Sequence, residues 1–132
     1  MDPRISFVTL GVKDLKHSTE FYSRTLGLKI HKAYPEVTFF ELGKTWLALY
    51  PVELLAGDAG VPKEGNGFSR FALAHNVRSP EEVDELIQTA AKGGGAEVKA
   101  GHKTSWGGYS GYFADPDGFL WEVAWNPDFP HV

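Results

Sequence analysis

The sequence predicts an α+β fold made of two β-α-β-β-β modules. Three observations lead to this prediction: the same order of strand-like and helix-like segments occurs twice, each module contains one helix with a recognisable start, and a turn sequence joins the last two strands of each module. With 132 residues, the chain is expected to form a single domain. We place module one at about 4–51, a linker at 52–66 and module two at about 67–126.

Module one begins with a short strand rich in β-branched residues, "ISFVTLGV". A helix follows, because Asp14 is a suitable N-cap, Gly27 a suitable stop, and apolar residues recur on one side of the segment between them. Gly43-Lys44 predicts a tight turn between the last two strands. The three remaining strands are "LKIHKA", "EVTFFEL" and "TWLALY".

Module two repeats this order after a loop rich in Gly and Pro, "LAGDAGVPKEGNG". Its first strand is "FSRFALAHNV", and its helix has Ser79 as N-cap and Pro80 at the first helical position. The sequence "DPDG" predicts a reverse turn between the last two strands. Those strands are "GYSGYFA" and "FLWEVAW", preceded by "EVKAGH".

The last strand also predicts which side chains face which way. Trp121, Val123 and Trp125 alternate with Glu122, so the bulky residues are expected to face a helix and Glu122 the opposite side. In the matching strand of module one, Ala48 takes the place of Glu122. If each sheet curves, the faces opposite the helices surround a cavity containing five predicted site residues: Phe7, Trp46, Tyr50, Arg70 and Glu122.

Composition excludes several classes of protein and partner. A net charge of −4 and scattered Lys and Arg residues argue against a nucleic-acid partner. No apolar run reaches the roughly 20 residues that span a bilayer, and the first residues do not resemble a signal peptide, so we expect no membrane partner and a cytoplasmic location. Without cysteine, any metal would be bound by His, Asp or Glu.

Two motifs resemble those of the vicinal-oxygen-chelate superfamily, also called the glyoxalase, bleomycin-resistance and dioxygenase group. "ISFVTLGVKDLKHSTEFYSRTLGL" is similar to the opening strand and helix of that family, and "GYFADPDGFLWEVAW" to its closing hairpin. The resemblance implies paired modules that form a cupped mixed sheet, often in a homodimer, with a small-molecule site inside the cup.

In metal-using members of this family, His or Glu side chains on the first, fourth, fifth and eighth strands bind a divalent ion. Carried over to this chain, those positions fall on Phe7, Ala48, Ala72 and Glu122. Only Glu122 can bind a metal, whereas a catalytic ion generally needs about three protein ligands. We therefore expect no metal cofactor. If a divalent ion is present, Glu122 is the one ligand that this alignment supplies.

Glu122 has three possible roles at this point. It can act as a general base or accept a hydrogen bond from an N–H or O–H group of a ligand. It can be a structural residue paired with Arg70 or with a tyrosine. It can also bind a metal together with residues that this alignment misplaces. We predict the first role and assign Glu122 as the catalytic residue.

Aromatic residues suggest the kind of ligand. Trp106 lies in the Gly-rich segment "KTSWGGYSGY", where packing alone seldom requires an indole and ligand stacking often does. Tyr109 in the same segment fits either a ligand-binding or a core role. The predicted ligand-binding residues suit a flat, aromatic or polycyclic molecule, and they are Phe7, Trp46, Tyr50, Arg70, Trp106 and Tyr109.

These observations predict a protein that binds a small planar organic molecule without a metal, either by sequestration or with modest acid-base catalysis by Glu122, and the family resemblance implies that it is a homodimer. The alternative is a metal-dependent lyase, isomerase or dioxygenase of the glyoxalase type. A third possibility is an interaction module whose cup is filled by its own side chains, Phe7 above all.

Overall fold

The structure, a computed structural model, describes residues 1, 3, 5–69 and 71–128. The chain forms two compact units, residues 1–67 and 68–132. Each unit has a four-stranded mixed sheet in which the first strand pairs in parallel with the last, and the other strands pair in antiparallel fashion. The predicted α+β fold of two β-α-β-β-β modules is confirmed.

Unit one has a sheet of order β1-β4-β3-β2. Helix α1 continues directly into one π-helical turn, Phe21–Thr25, and a second helix follows the last strand. The elements are β1 (Phe7–Val12), α1 (Leu15–Glu20), β2 (Ile30–Ala33), β3 (Thr38–Leu42), β4 (Thr45–Pro51) and α2 (Val52–Ala59).

Unit two has a sheet of order β5-β8-β7-β6, which is the same topology. Its elements are β5 (Leu73–Asn76), α3 (Pro80–Lys92), β6 (Ala96–Lys103), β7 (Tyr109–Ala114) and β8 (Leu120–Trp125). None of the helices found in the described residues is long and apolar enough to cross a membrane.

The helices begin where the capping residues predict. The Asp14 carboxylate accepts a hydrogen bond from the His17 N–H at 2.9 Å, and the Ser79 hydroxyl accepts one from the Glu82 N–H at 3.2 Å. Each bond satisfies an N–H group that has no partner within its helix, so these residues define the starts of α1 and α3.

Each unit buries one face of its sheet against its first helix. In unit two, the buried Ile87 side chain of α3 contacts Gly111 of β7, whose cross-strand partner Val123 is also buried. Val123 therefore faces α3, as predicted. In unit one the buried apolar residues come from the π-helical turn and the strands, and include Leu10, Val12, Phe21, Tyr22, Phe40, Leu47 and Leu49.

The predicted loop after β4 is wrong in part, because Val52–Ala59 form helix α2. This helix packs on β1 at Gly11, where an added Cβ would lie only 3.2 Å from the Leu55 side chain and 3.3 Å from that of Val52. Glycine at position 11 thus allows α2 to approach the sheet closely. The first strand of module two is also shorter than predicted, because within the described residues of 68–77 the strand β5 is formed by Leu73–Asn76, which pair with β8.

The "DPDG" sequence forms the predicted turn between β7 and β8. The Asp115 carboxylate is 3% exposed and accepts hydrogen bonds from the N–H groups of Asp117 and Phe119 at 2.9 and 2.8 Å. Backbone donors thus compensate the burial of this carboxylate. Asp115 acts as the cap of the hairpin that positions Glu122.

Candidate functional site

Glu122 lies on the face of the unit-two sheet that points away from α3. It pairs with Ala74 of β5 on one side and Tyr112 of β7 on the other. Directly paired residues point to the same face of a sheet, whereas successive residues along a strand point to opposite faces. Since Val123 faces α3, Glu122 faces the other way, as the alternation predicts.

Glu122 and Trp106 line one open recess of about 610 Å³. Trp106 lies between β6 and β7, so the recess joins the middle of one strand to a loop from another part of unit two. The structure therefore brings together two of the predicted site residues. The other residues that line the recess are Ala74, Asn76, Ala124, Asn126 and Asp128.

A hydrogen-bonded turn holds Trp106 in place. The Thr104 N–H donates to the Gly108 carbonyl at 3.0 Å, and the Gly108 N–H donates to the Thr104 hydroxyl at 3.0 Å. A Cβ added at Gly108 would collide with the Trp106 indole, so the ring lies directly against the Gly108 backbone. Trp106 is nevertheless 46% exposed, which leaves indole surface available for stacking.

The Glu122 carboxylate has no hydrogen-bond or salt-bridge partner among the described residues. Burial, and secondarily the charge of Glu122, raises the pKa of the neighbouring Tyr112 phenol above its usual value. The Tyr112 hydroxyl therefore stays protonated at neutral pH. Pairing of Glu122 with Arg70 stays a prediction, because Arg70 lies outside the described residues.

Tyr109 lies on the face of the sheet opposite Glu122. It pairs with Lys103 and Trp125, and its hydroxyl donates to the two Asp84 carboxylate oxygens of α3 at 3.0 and 3.2 Å. Burial, together with this hydrogen bond and the charge of Asp84, raises the pKa of the Tyr109 phenol. The structure thus places Tyr109 against α3 and does not bring it to Glu122.

In unit one, the predicted residues lie on the sheet face opposite α1. The rings of Phe7 and Trp46 meet edge to face at 6.0 Å, and those of Phe7 and Phe39 at 5.7 Å. His31 lies 4.3 Å from the Trp46 ring. Phe7 is 49% exposed, so this aromatic surface is open.

Tyr50 shares this face, because Trp46, Ala48 and Tyr50 follow one another at intervals of two along β4. A hydrogen bond with Asp58 of α2, followed by burial and the charge of Asp58, raises the pKa of its phenol. The predicted common face of Phe7, Trp46 and Tyr50 is therefore present. That the faces of the two modules surround one shared cavity stays a prediction.

The residues at the metal-binding positions of the family do not fit a divalent ion. Phe7, Ala48 and Ala72 have no side-chain atom that can bind a metal ion, and neither does Ala74, the direct neighbour of Glu122 on β5. Within the described residues, no group of three or more His, Asp or Glu side chains is arranged to hold a metal. Glu122 alone cannot provide the three protein ligands that such an ion generally needs.

Several residues of the recess escaped the sequence-based prediction. Asn126 and Asp128 follow Glu122 and the correctly placed Ala124 at intervals of two, and Asn76 follows Ala74 in the same way. Extending the strand alternation past the end of β8 would have found Asn126 and Asp128, and continuing it from Ala74 to the end of β5 would have found Asn76. Phe39 beside Phe7 and His31 beside Trp46 were missed because their positions depend on pairing between strands, and β2 has an irregular register at His31.

Comparison with known proteins agrees with this architecture. Residues 4–123 match the model of the Glyoxalase/Bleomycin resistance protein/Dioxygenase superfamily. The chain is 34% identical over 122 residues to the uncharacterized protein YraH of Bacillus subtilis strain 168, covering 88% of this chain and 93% of YraH. It is 26% identical over 119 residues to the glutathione transferase FosA of Serratia marcescens, covering 90% of this chain and 78% of FosA.

A solved structure is similar over nearly the whole chain. The crystal structure of a glyoxalase-related enzyme from Fulvimarina pelagi superposes with a TM-score of 0.90 at 37% identity, covering 97% of this chain and 91% of that one. The repeated module, the closing hairpin with its carboxylate and these likenesses together show that the chain belongs to the Glyoxalase/Bleomycin resistance protein/Dioxygenase superfamily.

Proposed function

We propose that this protein binds a small planar organic molecule in the Glu122 recess, without a metal ligand. The ligand stacks on Trp106 and donates an N–H group to Glu122. The observation that carries this proposal is that both side chains line one recess, while the carboxylate has no hydrogen-bond or salt-bridge partner among the described residues.

The size and lining of the recess support a ligand of this kind. A volume of about 610 Å³ falls within the range typical of sites for small organic molecules. Asn76, Asn126 and Asp128 add polar groups around the carboxylate, and none of the described lining residues is cationic. A molecule with a flat apolar body and a basic or N–H group matches this combination better than an anion does.

Energetics indicate which contact determines specificity. Aromatic stacking contributes about 0.5–1.5 kcal/mol beyond the burial of apolar area. A hydrogen bond to a charged group contributes about 1.5–3 kcal/mol. Trp106 thus selects flat molecules, and Glu122 selects among them those that carry a donor. If the bound molecule has an acidic proton, the same carboxylate is placed to remove it, which would add acid-base catalysis to sequestration.

Titration calorimetry at pH 8 with 9-aminoacridine, a planar cation, and acridine, its neutral counterpart, tests this proposal. We expect 9-aminoacridine to bind at least tenfold more tightly than acridine, and Glu122→Gln to remove most of this difference while leaving acridine binding unchanged. Glu97→Gln, at an exposed position on β6 outside the recess, is the matched control for loss of one negative charge. Equal binding of both compounds by the unmodified protein, or a preference that survives Glu122→Gln, would refute the proposal.

Similarity to the glutathione transferase FosA favours a second function, transfer of the glutathione thiol to an electrophilic substrate. Incubation with glutathione and a panel of small electrophiles, with product detected by mass spectrometry, tests this function. Formation of a glutathione adduct that depends on the protein would make transfer the primary activity, and absence of adduct across the panel would leave binding as the function.

A further inference from the structure

We propose that unit two carries a second binding site, a slot on the α3-facing side of its sheet that takes a small carboxylate with an apolar body. The slot has a volume of about 290 Å³. It is formed by Pro80, Lys103, Thr104, Gly107, Gly108, Tyr109 and Trp125, and it shares none of these residues with the Glu122 recess.

The floor of the slot is one row of residues across three strands. Lys103 of β6 pairs with Tyr109 of β7, and Tyr109 pairs with Trp125 of β8. Direct partners in antiparallel strands point to the same face with Cβ atoms about 5 Å apart. A cation, a phenol ring and an indole therefore stand side by side on the face opposite Glu122.

Helix α3 covers this end of the sheet only in part, at Tyr109, which is hydrogen-bonded to Asp84. It begins at Pro80, and its buried residues start only at Val83, one turn further along. Trp125, the last residue of β8, is consequently only partly buried, although it faces the same side as the fully buried Val123. Pro80 forms one wall of the slot where the helix begins.

The walls of the slot are held in fixed positions. The Tyr109 hydroxyl donates to both carboxylate oxygens of Asp84, which fixes the phenol ring and occupies the carboxylate. Hydrogen bonds between Thr104 and Gly108 fix the turn on the other side. A slot with such walls loses little conformational freedom when a ligand enters.

The chemistry of the lining defines the ligand. Lys103 is the charged residue among those that line the slot, and it has no salt-bridge partner in the described part of the chain. Trp125, Tyr109 and Pro80 provide apolar and aromatic surface beside it. An aromatic acid of the size of phenylacetate places its ring on Trp125 and its carboxylate at the Lys103 ammonium group.

Nuclear magnetic resonance of ¹⁵N-labelled protein tests the site, with phenylacetate and its neutral analogue phenylacetamide as probes. The indole N–H signal of Trp125, assigned with Trp125→Phe, reports on the slot, and that of Trp106 reports on the Glu122 recess. Lys103→Gln removes the cation, and Lys99→Gln is the matched control, because Lys99 lies on the same strand and pairs with Tyr112 on the opposite face.

We expect phenylacetate to shift the Trp125 signal saturably and to bind about fivefold more tightly than phenylacetamide, as an exposed ion pair allows. This preference should persist in Lys99→Gln and vanish in Lys103→Gln. No saturable shift at Trp125, a shift at Trp106 alone, or a preference unchanged in Lys103→Gln would each overturn the proposal. None of these results depends on whether 9-aminoacridine binds at Glu122, so the two proposals can fail separately.

Discussion

Trp106 and Trp121 are expected to respond in opposite ways to substitution by alanine. Trp121 stacks on Phe113 with ring centroids 6.1 Å apart and planes inclined by 2°, and Phe113 is only 1% exposed. Trp106 is 46% exposed and rests on the Gly108 backbone. One indole therefore belongs to the packed side of unit two, and the other to the surface of the recess.

The expected magnitudes follow from this difference in burial. Replacing a buried aromatic residue by alanine costs about 3–5 kcal/mol, and we expect Trp121→Ala to cost about 3 kcal/mol because its ring is not fully buried. For Trp106→Ala we expect a loss of about 1 kcal/mol or less, since much of the ring is already in contact with water. Loss of stacking should instead weaken 9-aminoacridine binding about threefold to tenfold.

Urea unfolding followed by circular dichroism measures the first quantity, and calorimetry the second. With a typical slope of about 1–3 kcal/mol per molar urea, Trp121→Ala should lower the midpoint by about 1 M or more. Trp106→Phe, which keeps an aromatic ring, is the control for stacking and should bind more tightly than Trp106→Ala. Equal losses of stability in both alanine variants, or unchanged binding in Trp106→Ala, would show that the two faces of unit two are assigned incorrectly.

Three further perturbations test other parts of the structure. Asp115→Ala should destabilise the protein by about 3 kcal/mol in urea unfolding, because two backbone N–H groups lose a charged acceptor. Addition of a chelator should leave the melting temperature unchanged, and a clear drop would reveal a stabilising metal. The free energy of unfolding should fall as the pH rises from about 10, the pKa of tyrosine in the unfolded chain, through the higher pKa of Tyr109 in the folded protein, because the unfolded chain loses its proton first. Tyr109→Phe should make this fall less steep. The same pH dependence in the variant and the unmodified protein would contradict the raised pKa of Tyr109.

Local signals were sufficient to predict most of the fold. Asp14 and Ser79 each supply an oxygen to the first turn of a helix, and the "DPDG" turn is closed by the side chain of its first residue. Such contacts span two to four residues, so sequence alone contains both partners. The repeat then supplied the order of the strands, because two copies of one pattern are best explained by one topology used twice.

The errors occurred where the outcome depends on distant residues. Helix α2 contains Gly57 and follows a proline, which reads locally as a loop, yet it forms because Val52 and Leu55 pack on Gly11, about forty residues earlier in the chain. Long-range packing of this kind overrides weak local propensity. The length of strand β5 likewise depends on a distant partner, because Leu73–Asn76 form the strand by pairing with β8 about fifty residues later.

For the site, strand alternation was the more reliable guide, because loop position placed Trp106 in the recess correctly but did not do so for Tyr109. Alternation correctly separates Glu122 from Val123, and it extends to Asn126 and Asp128 beyond the end of β8. Tyr109 was grouped with Trp106 because both lie in one Gly-rich segment. Gly111 contacts α3, and residues two positions apart in a strand point to the same face, so Tyr109 lies on the helix side of the sheet instead.

The two units have diverged at equivalent positions of the same topology. Ala48 pairs with Thr9 and Phe39, just as Glu122 pairs with Ala74 and Tyr112. The unit-one position is buried beside an aromatic ring, whereas the unit-two position carries a carboxylate beside a phenol that remains protonated.

A carboxylate at position 48 would lose its water next to Phe39. Of its two direct neighbours only Thr9 has a side-chain hydrogen-bond donor, so replacing Ala48 by an acidic residue would be unfavourable. At position 122 the carboxylate borders an open recess and keeps access to water or to a ligand. Unit one therefore retains an apolar, aromatic surface on this face, whereas the corresponding face of unit two carries the Glu122 carboxylate.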